Sequence, residues 1–421
     1  MKDGESQASG QPPSRSRWIV WPERVASADA RLPDGFMAAG IACGIKHHGR
    51  RDLALIFSKE ETTSAAAFTS SGLEGCPVRV TRERCDLGRL RAVVATAGTA
   101  NVATGAEGLA VARAMQETAA AALRIPVQSV AIASTGAIGV QLPRGRVLAG
   151  IASAVNRLSP LAATDVAQAI RTSDRCVKQF TLLIRLRDGV VRLSAQAKGS
   201  GMIEPAFATM FCFLQTDARI SKEGLDCHFR TSINQSFNRI SVDGQLSTSD
   251  TAILIANGAS RIDAEPGTPN GELFGAALVA ATRSLALSIV RDGEGARRAG
   301  RIVVRGGSQV HAEAVARSVA TSPLVKTALR KGEPGWAWVA QAAGAALRGQ
   351  PGMPFEVAIE GTPTLRNDVA LPHDGARLVA AVAQDEIEYV VTLPAGPGDA
   401  EVFFSDLGRD YARFDPPGAS A

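Results

Sequence analysis

The sequence predicts an α/β protein, a layered sandwich of mixed sheets and helices, on three observations. Short apolar runs of strand length and longer Ala-, Leu- and Val-rich stretches of helical length alternate irregularly along the chain. The 41 Gly and 21 Pro punctuate the whole length, so elements are short and joined by turns. Hydrophobic residues make up 45% of the 421 and charged residues 21%, enough to fill a large core and too apolar for general disorder.

The elements follow in order. Met1 to Trp18 is rich in Ser, Gly, Pro and charge with no apolar stretch behind it, so it reads as a flexible tail and not a secretion signal. Leu53 to Phe57 and Arg91 to Ala95 are apolar runs followed by small residues, and both are expected as buried strands. A helix is expected from Glu107 to Leu123, ended by Pro126. Val130 to Ala133 reads as a strand running into a turn at Ser134, Thr135 and Gly136. Two β-rich runs between Thr181 and Ala197 flank Asp188-Gly189, a hairpin turn signal. Thr251 to Ala256 predicts another buried strand. An amphipathic helix is expected from Glu272 to Arg291, stopping at Gly293 and Gly295, and a further helix from Ala312 to Ala320. Glu386 to Leu393 and Glu401 to Phe404, on either side of a Pro- and Gly-rich stretch, suggest a hairpin with a longer loop. The length favours two domains, 19–290 and a smaller 291–421.

Several function classes are disfavoured. The net charge of +5 comes from interspersed acids and bases without a basic stripe or aromatic platform, so no nucleic-acid partner is expected. No membrane span is expected either, since the most apolar region, Gly275 to Val290, is interrupted by Thr282, Arg283 and Ser284. The six Cys lie far apart without CxxC spacing, which argues against a metal site or disulfide framework and suggests buried small hydrophobes in a cytoplasmic protein. His47, His48, His228, His311 and His373 stand beside no nucleophile in sequence, although triads meet in space. GxSxG, HExxH and GxxxxGK[ST] are all missing.

The most unusual local sequence is Lys198-Gly-Ser-Gly-Met-Ile-Glu-Pro-Ala-Phe-Ala-Thr209-Met210. It resembles the KGSGMI…P…ATM motif of the ornithine acetyltransferase family of arginine biosynthesis, whose members cleave themselves before the Thr. Gly35 to Leu55 is similar to the family's opening, Ala133 to Gly139 to its STG loop, and Ser236 to Gly244 with Ser247 to Thr251 to its SFNRITVDG…STND block. Arg291 to Gly295 and Ser322 to Thr327 follow in the family's order. The resemblance runs from about residue 35 to the C-terminus. It implies the ornithine acetyltransferase/DmpA-like sandwich, an autoprocessed N-terminal-nucleophile fold, with two fragments in an α2β2 assembly.

It also implies a mechanism that needs no cofactor. A Thr hydroxyl is a weak nucleophile, but an N-terminal Thr carries a base in its α-amine, whose pKa of about 7.7 to 8.0 suits proton transfer. Cleavage between Ala208 and Thr209 would create that catalyst, and Thr209 would then carry an acyl group from a donor amide to an acceptor amine. The resemblance assigns Thr135 and Gly136 to oxyanion stabilisation and Lys198 to the Thr209 amine or a substrate carboxylate. It assigns Glu294 to the amino group of an ornithine-like substrate, and Thr172 or Ser173, Asp415 and Ser420 to substrate contacts.

Departures from the family pattern occur at Thr96 and Thr99, where the family has Asn, at Trp338 in place of an Arg, and at Asp415 and Ser420 in place of Asn and Thr. A hydroxyl cannot reproduce the separate donor and acceptor groups of an amide, and Asp415 would disfavour an α-carboxylate. Alternatives to acetyl transfer from N2-acetylornithine to glutamate therefore stay open here: a paralogue acylating an intermediate of specialised metabolism, an autoprocessing amidase, or a non-catalytic binding paralogue.

Overall fold

The computed structural model describes residues 16–204, 210–350 and 352–412. Its strands form three sheets. The central one has six strands in the order Val25–Ala28, Lys178–Arg185, Val190–Lys198, Phe211–Thr216, Thr251–Ala256 and Thr63–Phe68. A second has four, Phe36–Ile41, Leu53–Ser58, Ala92–Thr99 and Val130–Ala137.

Side-chain alternation stacks these sheets into layers. Phe211, Phe213, Ile253 and Ile255 of the central sheet meet Ala54, Ile56, Val93 and Ala131 of the second, while Cys212, Leu214, Ala252 and Leu254 point the other way, onto helices Lys222–Asn234 and Pro269–Arg291. Helices Gly105–Leu123 and Arg144–Val155 cover the outer face of the four-stranded sheet. The order is helix, sheet, sheet, helix. All six residues of Thr251–Ala256 are buried, as its uninterrupted apolar character predicts. Each fully buried Ile or Leu there contributes about 1.5–3 kcal/mol of apolar transfer.

Pro269–Arg291 is the longest helix described and is apolar enough by length and composition to cross a membrane, but 67% of its most apolar window is buried inside the protein. The expected amphipathic pattern is corrected here. The helix packs on the central sheet on one side and near Asp399–Ser405 on the other, so it is apolar nearly all round.

A seven-stranded sheet, with core residues such as Ile302, Val304, Tyr389 and Phe404, follows the long helix and borrows the short strand Ile240–Ser241 from earlier in the chain. The expected C-terminal hairpin is also corrected. Glu386–Thr392 and Asp399–Ser405 are not neighbours, because Ala299–Arg305 lies between them, parallel to the first and antiparallel to the second. The Pro- and Gly-rich connection passes over the end of that strand, where the Gly307 N–H donates to the Pro394 carbonyl and the Gly306 N–H to the Gly398 carbonyl.

Ser16 to Trp18, grouped with the N-terminal tail by composition, are docked. The Ser16 hydroxyl donates to Glu386 at 2.6 Å, Arg17 pairs with Glu360, and Trp18 packs against Phe403. The cysteines are free, but only Cys212 is fully buried; Cys176 and Cys227 are exposed, because they lie in a loop and on the solvent face of a helix.

Candidate active site

Strand Val130–Ala137 runs straight through the segment expected to turn. Thr135 and Gly136 lie on its last residues, in parallel register with Ala97 and Gly98 of Ala92–Thr99. Gly98 has φ +132° and Gly136 φ +130°. A Cβ on Gly136 would stand 2.3 Å from the Gly98 carbonyl carbon, so two glycines are needed for the strand ends to bend together. The buried Thr135 hydroxyl is thereby aimed at Lys198, whose Nζ donates to it at 3.3 Å.

Lys198 ends strand Val190–Lys198 and is buried. Burial pushes its pKa down, against the opposing pull of Asp174. The next N–H, that of Gly199, donates to Asp174 Oδ1 at 2.7 Å. Beyond it the Ser200 and Ser173 hydroxyls are 2.5 Å apart, Ser173 donates to Glu294 Oε1 at 2.9 Å, and the Glu294 N–H returns to the Ser200 carbonyl at 2.8 Å. Burial raises the Glu294 pKa, with the Ser173 hydrogen bond opposing the shift. The structure thus brings two hydrogen-bonded pairs together, Thr135 with Lys198 and Ser173 with Glu294, joined in one run by the backbone from Lys198 to Ser200. Thr172 joins through its backbone, its N–H donating to Asp174 Oδ2 at 3.0 Å.

A cleft of about 310 Å³ opens beside this run, lined by Ser173, Arg175, Asp292, Glu294, Arg297 and Asp410 among others. Ala208, Thr209, Asp415 and Ser420 lie outside the described residues. Met210, next to Thr209 in sequence, is described, and its N–H donates to Asp250 Oδ1 at 2.8 Å. No group of three or more His, Cys, Asp and Glu with metal-binding geometry occurs among the described residues.

A model of the ArgJ family matches residues 37–416. The chain belongs to the ArgJ family. Among ArgJ relatives, the arginine biosynthesis bifunctional protein of a Synechococcus strain is 38% identical over 405 residues, spanning 92% of this chain and 96% of the relative. The protein of the same name from Symbiobacterium thermophilum is 37% identical over 386 residues, covering 90% and 96%. Among solved structures, an ornithine acetyltransferase complexed with ornithine from Mycobacterium tuberculosis is 35% identical, covers 43% of this chain and 98% of its own, and has a TM-score of 0.40.

Several residues packed against this cluster were missed in sequence. Lys178, 1% exposed, bridges Asp174 Oδ1 at 2.7 Å and Asp292 Oδ2 at 2.5 Å. Burial works against its charge, but the two carboxylates outweigh burial and raise its pKa. This buried triad ties the loop carrying Ser173, the backbone after Lys198 and the helix end before Glu294 to one another. The signal was a Lys opening a strand that runs into the apolar Leu182-Leu183-Ile184. Asp250, fully buried, has its pKa pushed well up by burial, and its Oδ2 has no hydrogen-bond partner among the described residues.

Two departures from the family pattern resolve differently. The Thr96 hydroxyl pairs with that of Ser134 at 2.7 Å, whereas the buried Thr99 hydroxyl has no partner among the described residues. Trp338 is 44% exposed on helix Trp336–Ala346 and is not among the residues lining the cleft.

Proposed function

We propose that the protein is the acetyltransferase of arginine biosynthesis that moves acetyl from N2-acetylornithine to glutamate, after cleaving itself between Ala208 and Thr209. The observation that carries this reading is the ArgJ match across residues 37–416, the range within which Thr135, Lys198, Ser173 and Glu294 all fall.

In the first step the Thr209 hydroxyl attacks the Ala208 carbonyl. The peptide C–N bond breaks as the C–O ester forms, and the nitrogen takes a proton to become the free Thr209 amine. Water then hydrolyses the ester, leaving an Ala208 carboxylate and an N-terminal Thr209. In turnover the Thr209 amine accepts the hydroxyl proton, the hydroxyl oxygen attacks the acetyl carbonyl, and the proton passes to the departing ornithine amine. Glutamate's amine then attacks acetyl-Thr209 and the hydroxyl is regenerated.

Each step builds negative charge on a carbonyl oxygen. The Thr135 hydroxyl and the Gly136 N–H supply donors to it, and losing one such donor typically costs about 2.7–4 kcal/mol of barrier. Lys198, beside Thr135 and short of a full solvation shell, adds positive potential there. Glu294 receives the side-chain ammonium of the ornithine moiety, and Thr172, Ser173, Asp415 and Ser420 complete the substrate contacts.

This reading also takes residues 19–290 and 291–421 as two domains, the two fragments as partners in an α2β2 assembly, and the cytoplasm as the compartment. Exposed free Cys176 and Cys227 are consistent with a reducing compartment. Turnover of N2-acetylornithine with glutamate, assayed for N-acetylglutamate and ornithine, tests the reaction. Hydrolysis of the donor at the same rate with and without glutamate would instead make the protein an amidase.

A further inference from the structure

The stretch from Ser241 to Thr251 holds the chain on both sides of residues 205–209. Downstream, Asp250 Oδ1 accepts the Met210 N–H at 2.8 Å and the Thr251 N–H donates to the Met210 carbonyl at 3.1 Å. Upstream, Asp243 Oδ2 accepts the Met202 N–H at 2.6 Å and its Oδ1 the Ile203 N–H at 2.9 Å. The Val242 N–H donates to the Ile203 carbonyl at 2.8 Å, and the Ser241 hydroxyl to Glu204 Oε2 at 2.7 Å. The base of this grip is itself braced. Ile240–Ser241 pairs with Phe403 and Phe404, the Ser405 hydroxyl donates to the Val242 carbonyl at 3.1 Å, and the Gln245 N–H fixes Asp243 Oδ1 at 3.1 Å.

The backbone at the upstream grip does not hold its own shape. Met202 has φ +57°, the left-handed region that a side chain disfavours, and such a conformation persists only where its surroundings impose it. The two N–H groups that Asp243 takes are those of Met202 and of the residue after it, so this carboxylate imposes the turn. The residues before it have anchors of their own: the Gly199 N–H donates to Asp174, and the Ser200 carbonyl accepts the Glu294 N–H. Asp243 is therefore the last side chain to grip the backbone ahead of residue 205 among the described residues.

The two reactions assigned to Thr209 differ in what this grip can do for them. Attack of a hydroxyl on the carbonyl next to it is governed by the path of the chain, and a chain held at both ends samples fewer paths. Once the Ala208–Thr209 bond is cut, no covalent link joins Met202 to Thr209, and the hold on Met202 no longer bears on the nucleophile. We propose that Asp243 is a positioning residue for self-cleavage, fixing the upstream approach to the bond that breaks, and that acetyl transfer does not depend on it. The inference rests on the self-cleaving acetyltransferase reading above.

The test follows the fraction of intact chain by denatured mass at timed intervals after cell-free synthesis is stopped, then measures kcat and KM for N2-acetylornithine per cleaved chain. Asp243→Ala should lengthen the half-time of cleavage about 10- to 100-fold, the range expected for hydrogen bonds to a charged group, while turnover per cleaved chain stays within a few-fold of wild type. Asp243→Asn keeps one acceptor, should fall between, and carries the test if the Ala variant does not fold. Adding Met202→Gly to Asp243→Asn should recover part of the cleavage rate, because glycine enters the left-handed region without being held there. Cleavage at the wild-type rate in the Asp243 variants overturns the inference, as does a double variant no faster than Asp243→Asn. A fall in turnover per cleaved chain as large as the fall in cleavage overturns it too, by placing Asp243 in the acetyl-transfer site. Each of these results leaves the acetyltransferase reading intact, whereas a wild type that never cleaves overturns that reading itself.

Discussion

Lys198 lies between two buried carboxylates that behave in opposite ways. On one side Asp174 faces Lys178, Lys198 and the Gly199 N–H, and these hold its pKa well below the ordinary range although burial pulls the other way. On the other side Asp250 accepts the Met210 N–H and has a contact with Ser247, and burial dominates, so its pKa is pushed well up. Burial alone therefore does not set the charge of a group in this core; the number of cations and donors around it does. The Asp174 side carries the ionic scaffold that joins three site segments, while the Asp250 side places a carboxyl with a raised pKa beside the residue that follows Thr209.

The comparison is broken most severely by Lys178→Met. It leaves Asp174 and Asp292 without their shared cation, and a loss of about 3–5 kcal/mol in urea unfolding is expected; Lys178→Arg should lose less. Next in size, Thr135→Val removes an oxyanion donor and the partner of Lys198. It should lower kcat about 100- to 1,000-fold with little change in KM, and slow self-cleavage in the same sense. Glu294→Gln should act on binding instead, raising KM for N2-acetylornithine by roughly 10-fold or more while Thr209 still takes acetyl from donors without a side-chain amine.

The smallest effect sharpens the contrast through pH. Asp174 has a depressed folded pKa, so its contribution is present above the unfolded value of about 4 and is lost as pH falls below it. Asp250 has a raised folded pKa, so its contribution is full below about 4 and is lost as pH rises through the folded value. Asp250→Asn, a neutral acceptor for the Met210 N–H, should thus gain stability relative to the wild type as pH rises from 5 to 8. Thermal unfolding across that range checks this, and a constant difference would mean that Asp250 is ionised throughout.

Local pattern carried much of the fold and the motif carried much of the site. Thr251–Ala256 and the hairpin around Asp188-Gly189 were legible because apolar runs and turn chemistry are local. The split between Glu386–Thr392 and Asp399–Ser405 was not, since the intervening strand comes from about eighty residues earlier and nothing nearby in sequence announces it. The motif named Thr135, Lys198, Ser173 and Glu294, which the structure brings close together. Lys178 and Asp250 were missed because their partners lie far away in the chain: Asp292 for the first and Met210 for the second.

The central claim is tested most directly by the mass of the denatured wild-type protein and its Thr209→Ala variant, before and after incubation with N2-acetylornithine alone. The account predicts two wild-type fragments ending at Ala208 and beginning at Thr209, the latter gaining one acetyl group, and a single unmodified chain in the variant. An intact wild-type chain, or fragments whose Thr209 piece never takes up acetyl, would contradict it.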